Sequence, residues 1–262
     1  MLLGDFDLNI TDNIIYIDFG NSRVKIWKDE TLDIFDYNRS WVNEVDLNDI
    51  KKCYFSSVNT NQTELAKLKF TEIEWIDVGD LTKSYSEIDF SEISGMGTDR
   101  KLGLIAASEK YNLPIITIDS GTAITINVVD ENKKCLGGFI LPGIQTQLQS
   151  LSDHGSGLPL ANIKNQKEYE YSLGKNTNDA ISSGILYGTV GSLEYHLRKI
   201  IDKYIINNNN IKIILTGGHS ELLFNILNKN KFLVNCRLIC DKNLVFLGIK
   251  KMADIHPKRN KQ

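Results

Sequence analysis

Two short segments of the sequence contain residue types that suit polyphosphate binding. Each has an aspartate followed two residues later by a glycine: Asp18 and Gly20 in the first segment, Asp119 and Gly121 in the second. Glycine allows the backbone to approach a ligand closely and to direct amide groups at phosphate oxygens. A carboxylate so near a phosphate would repel it unless a cation lay between them, so each aspartate indicates Mg²⁺ or a water-bridged equivalent. Lys25 follows seven residues after Asp18, and its ammonium group could meet the phosphates across the turn.

A hydroxyl side chain follows each glycine, Ser22 in the first segment and Thr122 in the second, and adds a hydrogen-bond donor. One Asp-x-Gly turn is weak evidence, because such turns occur in many ordinary hairpins. Two of them 101 residues apart, together with the glycine turn Gly217-Gly218, predict that two domains clamp a nucleotide between them.

The elements that must position these turns are β-hairpins. Residues 14–19 and 23–27 flank the first turn, and residues 115–120 and 123–129 flank the second. Runs rich in β-branched residues on both sides of a glycine turn are typical of hairpins. The constant offset of 101 residues predicts a duplicated domain.

Segments with helical periodicity follow the hairpins. One begins after residues 97–100 and ends before Pro114. A longer helix is predicted from an N-cap near Thr177 to the asparagine run 207–210. Within it, Gly184 and Gly188 lie one turn apart, and each costs about 1 kcal/mol relative to alanine. That cost is explained if another backbone approaches closely, either from a second copy of the chain or from a helix of the same chain.

Composition excludes several classes of protein. Of the 262 residues, 30 are Lys or Arg and 33 are Asp or Glu, and the net charge of −3 argues against a nucleic-acid-binding surface. No apolar run approaches the roughly 18–20 residues that span a membrane. The first 13 residues carry three aspartates and no basic residue, unlike a secretory signal. Four scattered cysteines indicate reduced thiols, so we expect a cytoplasmic protein.

The segment Asp18-Phe19-Gly20-Asn21-Ser22-Arg23-Val24-Lys25 resembles the first phosphate loop of the acetate kinase, sugar kinase, Hsp70 and actin superfamily. Within that superfamily, the full set of motifs resembles the type III pantothenate kinases. Six further motifs occur in the order of that family: Gly97-Thr98-Asp99-Arg100, Asp119-Ser-Gly-Thr-Ala123, Gly137-Gly-Phe-Ile-Leu-Pro-Gly143, Gly174-Lys-Asn-Thr177, Ser183-Gly-Ile-Leu-Tyr-Gly188 and Thr216-Gly-Gly218.

The resemblance implies an α/β fold of two duplicated ribonuclease-H-like (actin-like ATPase) domains with a nucleotide cleft between them. The implied domains are residues 14–114 and 115–255, preceded by a leader, 1–13, and followed by a polar tail, 256–262. The implied reaction is ATP-dependent phosphorylation of pantothenate to 4′-phosphopantothenate, the first step of coenzyme A biosynthesis. We therefore expect an enzyme that is a homodimer, acts on a small molecule, and binds neither nucleic acid nor membrane.

The resemblance also implies residue roles. Asp99 is the catalytic base, and Arg100 binds the substrate carboxylate beside Gly97 and Thr98. Asp18 holds Mg²⁺ through water, and Asp119 binds a monovalent cation, K⁺ or NH₄⁺. The residues implied in ATP binding are Asp18, Phe19, Gly20, Asn21, Ser22, Arg23, Val24, Lys25 and Thr122, and Thr177 contacts substrate in a pocket at the dimer interface.

These roles have plainer alternatives. Asp99 and Arg100 could be a helix-start pair, with the aspartate as cap and the arginine in solvent. Asp119 could cap its own turn, and Thr177 could be a simple N-cap. Phe90 stands where the family usually has a substrate-binding tyrosine, which leaves open a kinase with another acceptor. A non-catalytic nucleotide-binding homologue on the same scaffold is the other rival.

Overall fold

The structure, a computed structural model, describes residues 13–28, 31–37, 40–163, 171–205 and 211–259. The chain groups into two compact units. The first unit comprises Met1–Tyr85, Gly97–Leu102 and Val245–Gln262, and the second comprises Ser86–Met96 and Gly103–Leu244. The predicted domains, 14–114 and 115–255, divide the chain at the sequence repeat rather than by compactness, and they stay a prediction.

The first unit is built on a five-stranded mixed sheet with the order β3-β2-β1-β4-β5. The first three strands are antiparallel, and β4 and β5 run parallel to β1. The elements are β1 (Ile14–Phe19), β2 (Arg23–Lys28), β3 (Thr31–Asp36), β4 (Lys52–Ser57), α1 (Thr60–Lys69), β5 (Glu74–Asp77) and α2 (Val78–Thr82), with a 3₁₀ turn at Trp41–Asn43.

The second unit repeats this sheet with the order β8-β7-β6-β9-β10. Helix α3 (Thr98–Lys110) is shared by the two units and leads into it. The remaining elements are β6 (Ile115–Ser120), β7 (Ala123–Val129), β8 (Cys135–Pro142), α4 (Ile144–His154), α5 (Thr177–Tyr204), β9 (Ile211–Thr216), α6 (Ser220–Leu227), β10 (Cys236–Cys240) and α7 (Leu244–Arg259). Identical strand order in both sheets confirms the predicted duplicated α/β fold.

Strand alternation decides which side chains reach the functional face. In β1, Ile15, Ile17 and Phe19 enter the core of the first unit, so Tyr16 and Asp18 lie on the opposite face of the sheet. From Val245 onward α7 covers part of that opposite face, and Phe246 packs on Trp27 with ring centroids 5.6 Å apart. The second sheet alternates in the same way: Ile116 and Ile118 of β6 enter a core shared with α5, and Asp119 is on the other face.

Helix α5 begins where the sequence indicates, but the predicted cap is displaced. The capping residue is Asn176, whose side chain accepts a hydrogen bond from the Asp179 amide at 3.0 Å, and Thr177 is the first helical residue. The helix ends at Tyr204, and the asparagine run predicted to end it lies outside the described residues.

The ends of the chain are described only in part. Of the predicted leader 1–13, only Asn13 is described. Helix α7 extends to Arg259, so residues 256–259 of the predicted polar tail are helical. Among the described helices, none has both the length and the apolar character needed to cross a membrane.

Candidate active site

The first Asp-x-Gly turn joins β1 to β2 and places a carboxylate opposite an ammonium group. Asp18 pairs with Lys25 across the two antiparallel strands, and Lys25 Nζ lies 3.5 Å from Asp18 Oδ2. Asp18 is only 6% exposed. The turn closes through a hydrogen bond from the Gly20 amide to the Arg23 carbonyl at 3.0 Å. Asp18 and Lys25 are therefore held together at the end of a buried strand, beside the turn where Lys25 was expected to meet phosphates.

Not every residue of the predicted phosphate loop faces this site. Asn21 and Ser22 are exposed at the tip of the turn. Phe19 and Val24 are fully buried in the core of the first unit, so their side chains are unavailable to a ligand. Arg23 points to solvent and forms an ion pair with Asp36 at 2.7 Å.

The electrostatic surroundings of Asp18 favour a cation. Burial raises the pKa of Asp18 above its usual value, the Lys25 ammonium lowers the pKa, and the charge of Asp99 raises it again. A divalent ion beside the two carboxylates would relieve their repulsion. Within the described ranges no three His, Cys, Asp or Glu side chains form a metal cage. This donor set fits Mg²⁺, which keeps several waters and uses one or two carboxylates together with substrate phosphates.

Asp99 belongs to the same unit as Asp18 and lies in the first turn of α3. Its Oδ1 accepts a hydrogen bond from the Arg100 amide at 2.8 Å. The helix begins at Thr98, so Asp99 is its second residue and not a cap preceding it. Arg100 is half-buried, which differs from a solvent-exposed arginine at a helix start. Gly97 lies against the Asp99 carboxylate, and a Cβ atom there would require that side chain to move.

The second Asp-x-Gly turn joins β6 to β7 and is packed against the predicted third glycine turn. Gly217 has a φ of +88°, and a Cβ there would collide with the Asp119 carboxylate and the Ser120 backbone. The His219 amide donates to the Ser120 carbonyl at 3.2 Å. The structure thus brings Asp119 and the turn at Gly217 together within the second unit.

Two contacts that the sequence did not predict support the second turn. The Thr122 carbonyl accepts hydrogen bonds from the Gly143 amide at 2.9 Å and from the Thr146 hydroxyl at 2.6 Å. A Cβ at Gly143 would overlap the carbonyls of Gly121 and Thr122. The Thr122 side chain itself is exposed. The available signal was the Pro142-Gly143 pair before a helix, which marks a turn but not its contact.

Thr177 lines a cavity of about 620 Å³ in the second unit. Phe90, in the same unit, is half-buried and is not one of the residues that line this cavity. This cavity therefore contains only one of the two predicted substrate residues. The cavity is lined by Leu151, Leu158, Gly174, Lys175, Asn176, Thr177, Ala180, Ile181, Gly184 and Ile185.

One face of α5 is exposed and made of small residues. Gly184, Gly188 and Gly191 are exposed, and a Cβ at any of them would meet no atom of the described residues within 4 Å beyond the helix's own backbone. Tyr195 continues this face and is 60% exposed. In the described part of the chain, no helix packs against these glycines, which disfavours an intrachain contact as the reason for them.

Comparison with known proteins identifies close relatives. The family model for type III pantothenate kinases matches residues 14–199. A type III pantothenate kinase from Finegoldia magna is 28% identical over an alignment of 268 positions, which covers 94% of this chain and 98% of the relative. One from Sulfurihydrogenibium sp. is 34% identical over 187 residues, covering 70% and 72% of the two chains.

A solved structure has the same fold. A Campylobacter jejuni protein described as a Baf family transcriptional activator matches 93% of this chain and 99% of its own length. The TM-score is 0.62 at 22% sequence identity, so the similarity concerns the fold alone.

Proposed function

Since this chain belongs to the type III pantothenate kinase family, we propose that it transfers the γ-phosphoryl group of ATP to the terminal hydroxyl of pantothenate. The product would be 4′-phosphopantothenate, in the first step of coenzyme A biosynthesis. The observation that supports this most directly is the pair of interacting carboxylates, Asp18 and Asp99, beside the first turn with its lysine.

In the proposed reaction, the pantothenate hydroxyl oxygen attacks the γ-phosphorus while the bond to the β–γ bridging oxygen breaks. The hydroxyl proton passes to Asp99, and ADP leaves with the bridging oxygen. Phosphoryl transfer of this kind depends on in-line positioning and charge neutralisation, and it needs no covalent enzyme intermediate.

The first turn would bind the triphosphate. Lys25 supplies positive charge, and the backbone amides and side chains at Asn21 and Ser22 supply donors at the exposed tip. Asp18 would hold Mg²⁺ through water. When bound, that ion neutralises phosphate charge.

The second turn would take the monovalent cation and part of the nucleotide. Asp119 carries a half-buried carboxylate beside the Gly217 turn, and Thr122 has an exposed hydroxyl. K⁺ or NH₄⁺ at Asp119 would offset charge on the phosphates.

Gly97, Thr98 and Arg100 would bind the acceptor, and Thr177 would contact it from a pocket at the dimer interface. Arg100 can bind the pantothenate carboxylate in a two-pronged fork that lysine cannot reproduce. The open glycine face of α5 suits close contact with a second copy, and we propose a homodimer that completes the pocket at Thr177. Phe90 keeps an aromatic ring but has no phenol for the substrate. Sedimentation of the wild type measures whether two copies associate.

The decisive experiment is a coupled ADP-release assay with pantothenate and unrelated hydroxy compounds. Asp99→Asn should lower turnover by about 10²- to 10⁴-fold, because the base is lost. Calorimetry should show ATP binding largely retained, and sedimentation should show the same association state. Asp80→Asn changes a 73%-exposed aspartate of the same unit and should leave turnover unchanged.

Each contrary outcome removes a different part of the proposal. Near-wild-type turnover in Asp99→Asn would remove the base assignment. ADP release with another hydroxy compound but not with pantothenate would replace the acceptor. ATP binding without ADP release in any mixture would support the non-catalytic homologue.

A further inference from the structure

Tyr37 lies directly after β3 and contacts the first Asp-x-Gly turn at two points. Its hydroxyl donates a hydrogen bond to the Gly20 carbonyl at 3.0 Å. Its backbone amide donates to the Ser22 carbonyl at 3.4 Å. One half-buried residue, 17 positions from Gly20, therefore holds the carbonyls on both sides of the exposed tip of the turn.

The bond to Gly20 fixes the direction of an amide. In a planar trans peptide, the carbonyl and the N–H of the following residue point in opposite directions. Because the Gly20 carbonyl is held toward Tyr37, the N–H of Asn21 is directed away from the phenol, toward the open side of the turn. Amides directed outward from a glycine turn are the groups that bind phosphate oxygens.

The phenol is suited to remain a donor. Burial raises the pKa of Tyr37 above its usual value of 10.0, and the negative charge of Asp18 raises it further. The hydroxyl therefore keeps its proton at neutral pH and can donate to a carbonyl in the immediate surroundings of a carboxylate.

We infer that Tyr37 is a positioning residue for ATP: its hydroxyl holds the Gly20–Asn21 peptide in the orientation that lets the turn bind phosphate. The inference rests on the proposed function, in which this turn binds the triphosphate. Tyr37 itself need not touch ATP.

The second unit has a counterpart to this contact made by different atoms. There, the chain leaving β8 supplies the Gly143 amide and the Thr146 hydroxyl to the Thr122 carbonyl. In both units, the chain that leaves the third strand of the antiparallel part returns to hold a carbonyl of the Asp-x-Gly turn. The repetition indicates that each turn needs this support, and in the first unit a single removable hydroxyl provides it.

The test is Tyr37→Phe, which keeps the ring and removes only the hydroxyl. Loss of one neutral hydrogen bond corresponds to a factor of about 2 to 13. We expect calorimetry with Mg·ATP to show binding about 3- to 10-fold weaker. The KM for ATP should rise by the same factor, while the KM for pantothenate and the kcat stay within about twofold.

A matched control separates positioning from stability. Tyr111 is also half-buried and donates a hydrogen bond from its hydroxyl to Asp241 at 3.0 Å, within the second unit. Tyr111→Phe should lower the melting temperature without weakening ATP binding. The inference is overturned if Tyr37→Phe binds Mg·ATP as tightly as the wild type, or if both variants weaken it equally.

Failure of the proposed function gives a different pattern. If the wild type binds Mg·ATP but does not phosphorylate pantothenate, the acceptor is wrong, and the binding comparison between the two variants still decides the role of Tyr37. If the wild type does not bind Mg·ATP at all, both proposals are overturned together.

Discussion

The two Asp-x-Gly hairpins occupy the same place in their sheets, but the second turn is one residue shorter and the two aspartates are held differently. Asp18 is almost fully buried and lies across the strands from Lys25. Asp119 is half-buried, and its cross-strand neighbour is the neutral Thr125. The strand position opposite the aspartate therefore carries an ammonium group in the first unit and a hydroxyl in the second.

This difference indicates that the two hairpins would obtain positive charge from different sources. In the first hairpin, the positively charged Lys25 ammonium already lies beside the Asp18 carboxylate and can pair with phosphate. In the second, the positive charge would have to come from solution, which agrees with the proposed monovalent-cation site at Asp119. Both hairpins keep the aspartate and the glycine of the turn, but the residue paired with the aspartate differs, so the cation would be built in at the first hairpin and bound at the second.

The largest effect should come from Gly143→Ala, which tests the backbone support of the second hairpin. A Cβ there would overlap the carbonyls of Gly121 and Thr122, and backbone atoms cannot swing aside. Gly143 has a φ of −65°, so alanine meets no conformational strain and the clash is the whole perturbation. We expect urea unfolding to show a loss of about 1–3 kcal/mol.

Gly20→Ala is the control in the first hairpin. Its Cβ would lie 3.2 Å from the Arg23 carbonyl, a tight contact that small shifts relieve. The lower entropy of the unfolded chain contributes about 0.4–1 kcal/mol in favour of alanine, so the net change should be close to zero. If Gly20→Ala and Gly143→Ala destabilise the chain equally, the contact at Gly143 is no more restrictive than the contact at Gly20, and this prediction is wrong.

Asp119→Ala tests whether the second hairpin binds a monovalent cation from solution. Wild-type ADP release should rise with K⁺ or NH₄⁺, and the variant should lose that response while keeping a low cation-independent rate. Rates are measured at constant ionic strength, with choline replacing K⁺. A wild type indifferent to these cations would refute the site.

Thr125→Lys sharpens the same test by copying the first hairpin into the second. A lysine at this register position would stand opposite Asp119 as Lys25 stands opposite Asp18. We expect the rate without K⁺ to rise and its dependence on K⁺ to weaken. If the K⁺ dependence of Thr125→Lys is unchanged, the residue opposite Asp119 does not determine whether the positive charge comes from the protein or from bound K⁺.

Sequence patterns predicted the hairpins and the duplication because both signals are local. Alternating residues and a glycine turn lie within about fifteen positions, and the repeat compares two such patterns. Contacts made by Tyr37 and Thr146 were not predictable, since each joins residues 17 or 24 positions apart and depends on how β3 and α4 return to the turns.

Two smaller differences have local causes. Asn176, Thr177 and Asp179 are all good capping types, so composition alone could not decide which one precedes the helix. Phe19 and Val24 were included in the ATP loop by resemblance to a motif. Strand alternation, applied residue by residue, assigns both side chains to the core.

The smallest expected effect is a change in the pH dependence of stability, and it concerns the sheet faces on which the two aspartates lie. Tyr16 precedes Asp18 on that face in the first unit, and the corresponding residue of β6 is Thr117, which cannot ionise. Burial, followed by the charge of Asp254 and the neighbouring Tyr54, raises the pKa of Tyr16 from 10.0 to about 12. The folded chain therefore keeps a proton that the unfolded chain loses first. This contribution to stability is complete below pH 10 and declines as the pH rises toward 12.

Urea unfolding at pH 9 and at pH 11 measures how much unfolding free energy each protein loses between the two pH values. The loss should be smaller in Tyr16→Phe than in the wild type. Tyr195→Phe, at an exposed position of the second unit, should behave as the wild type. If all three proteins lose the same unfolding free energy between pH 9 and pH 11, the loss of stability at alkaline pH does not arise from Tyr16.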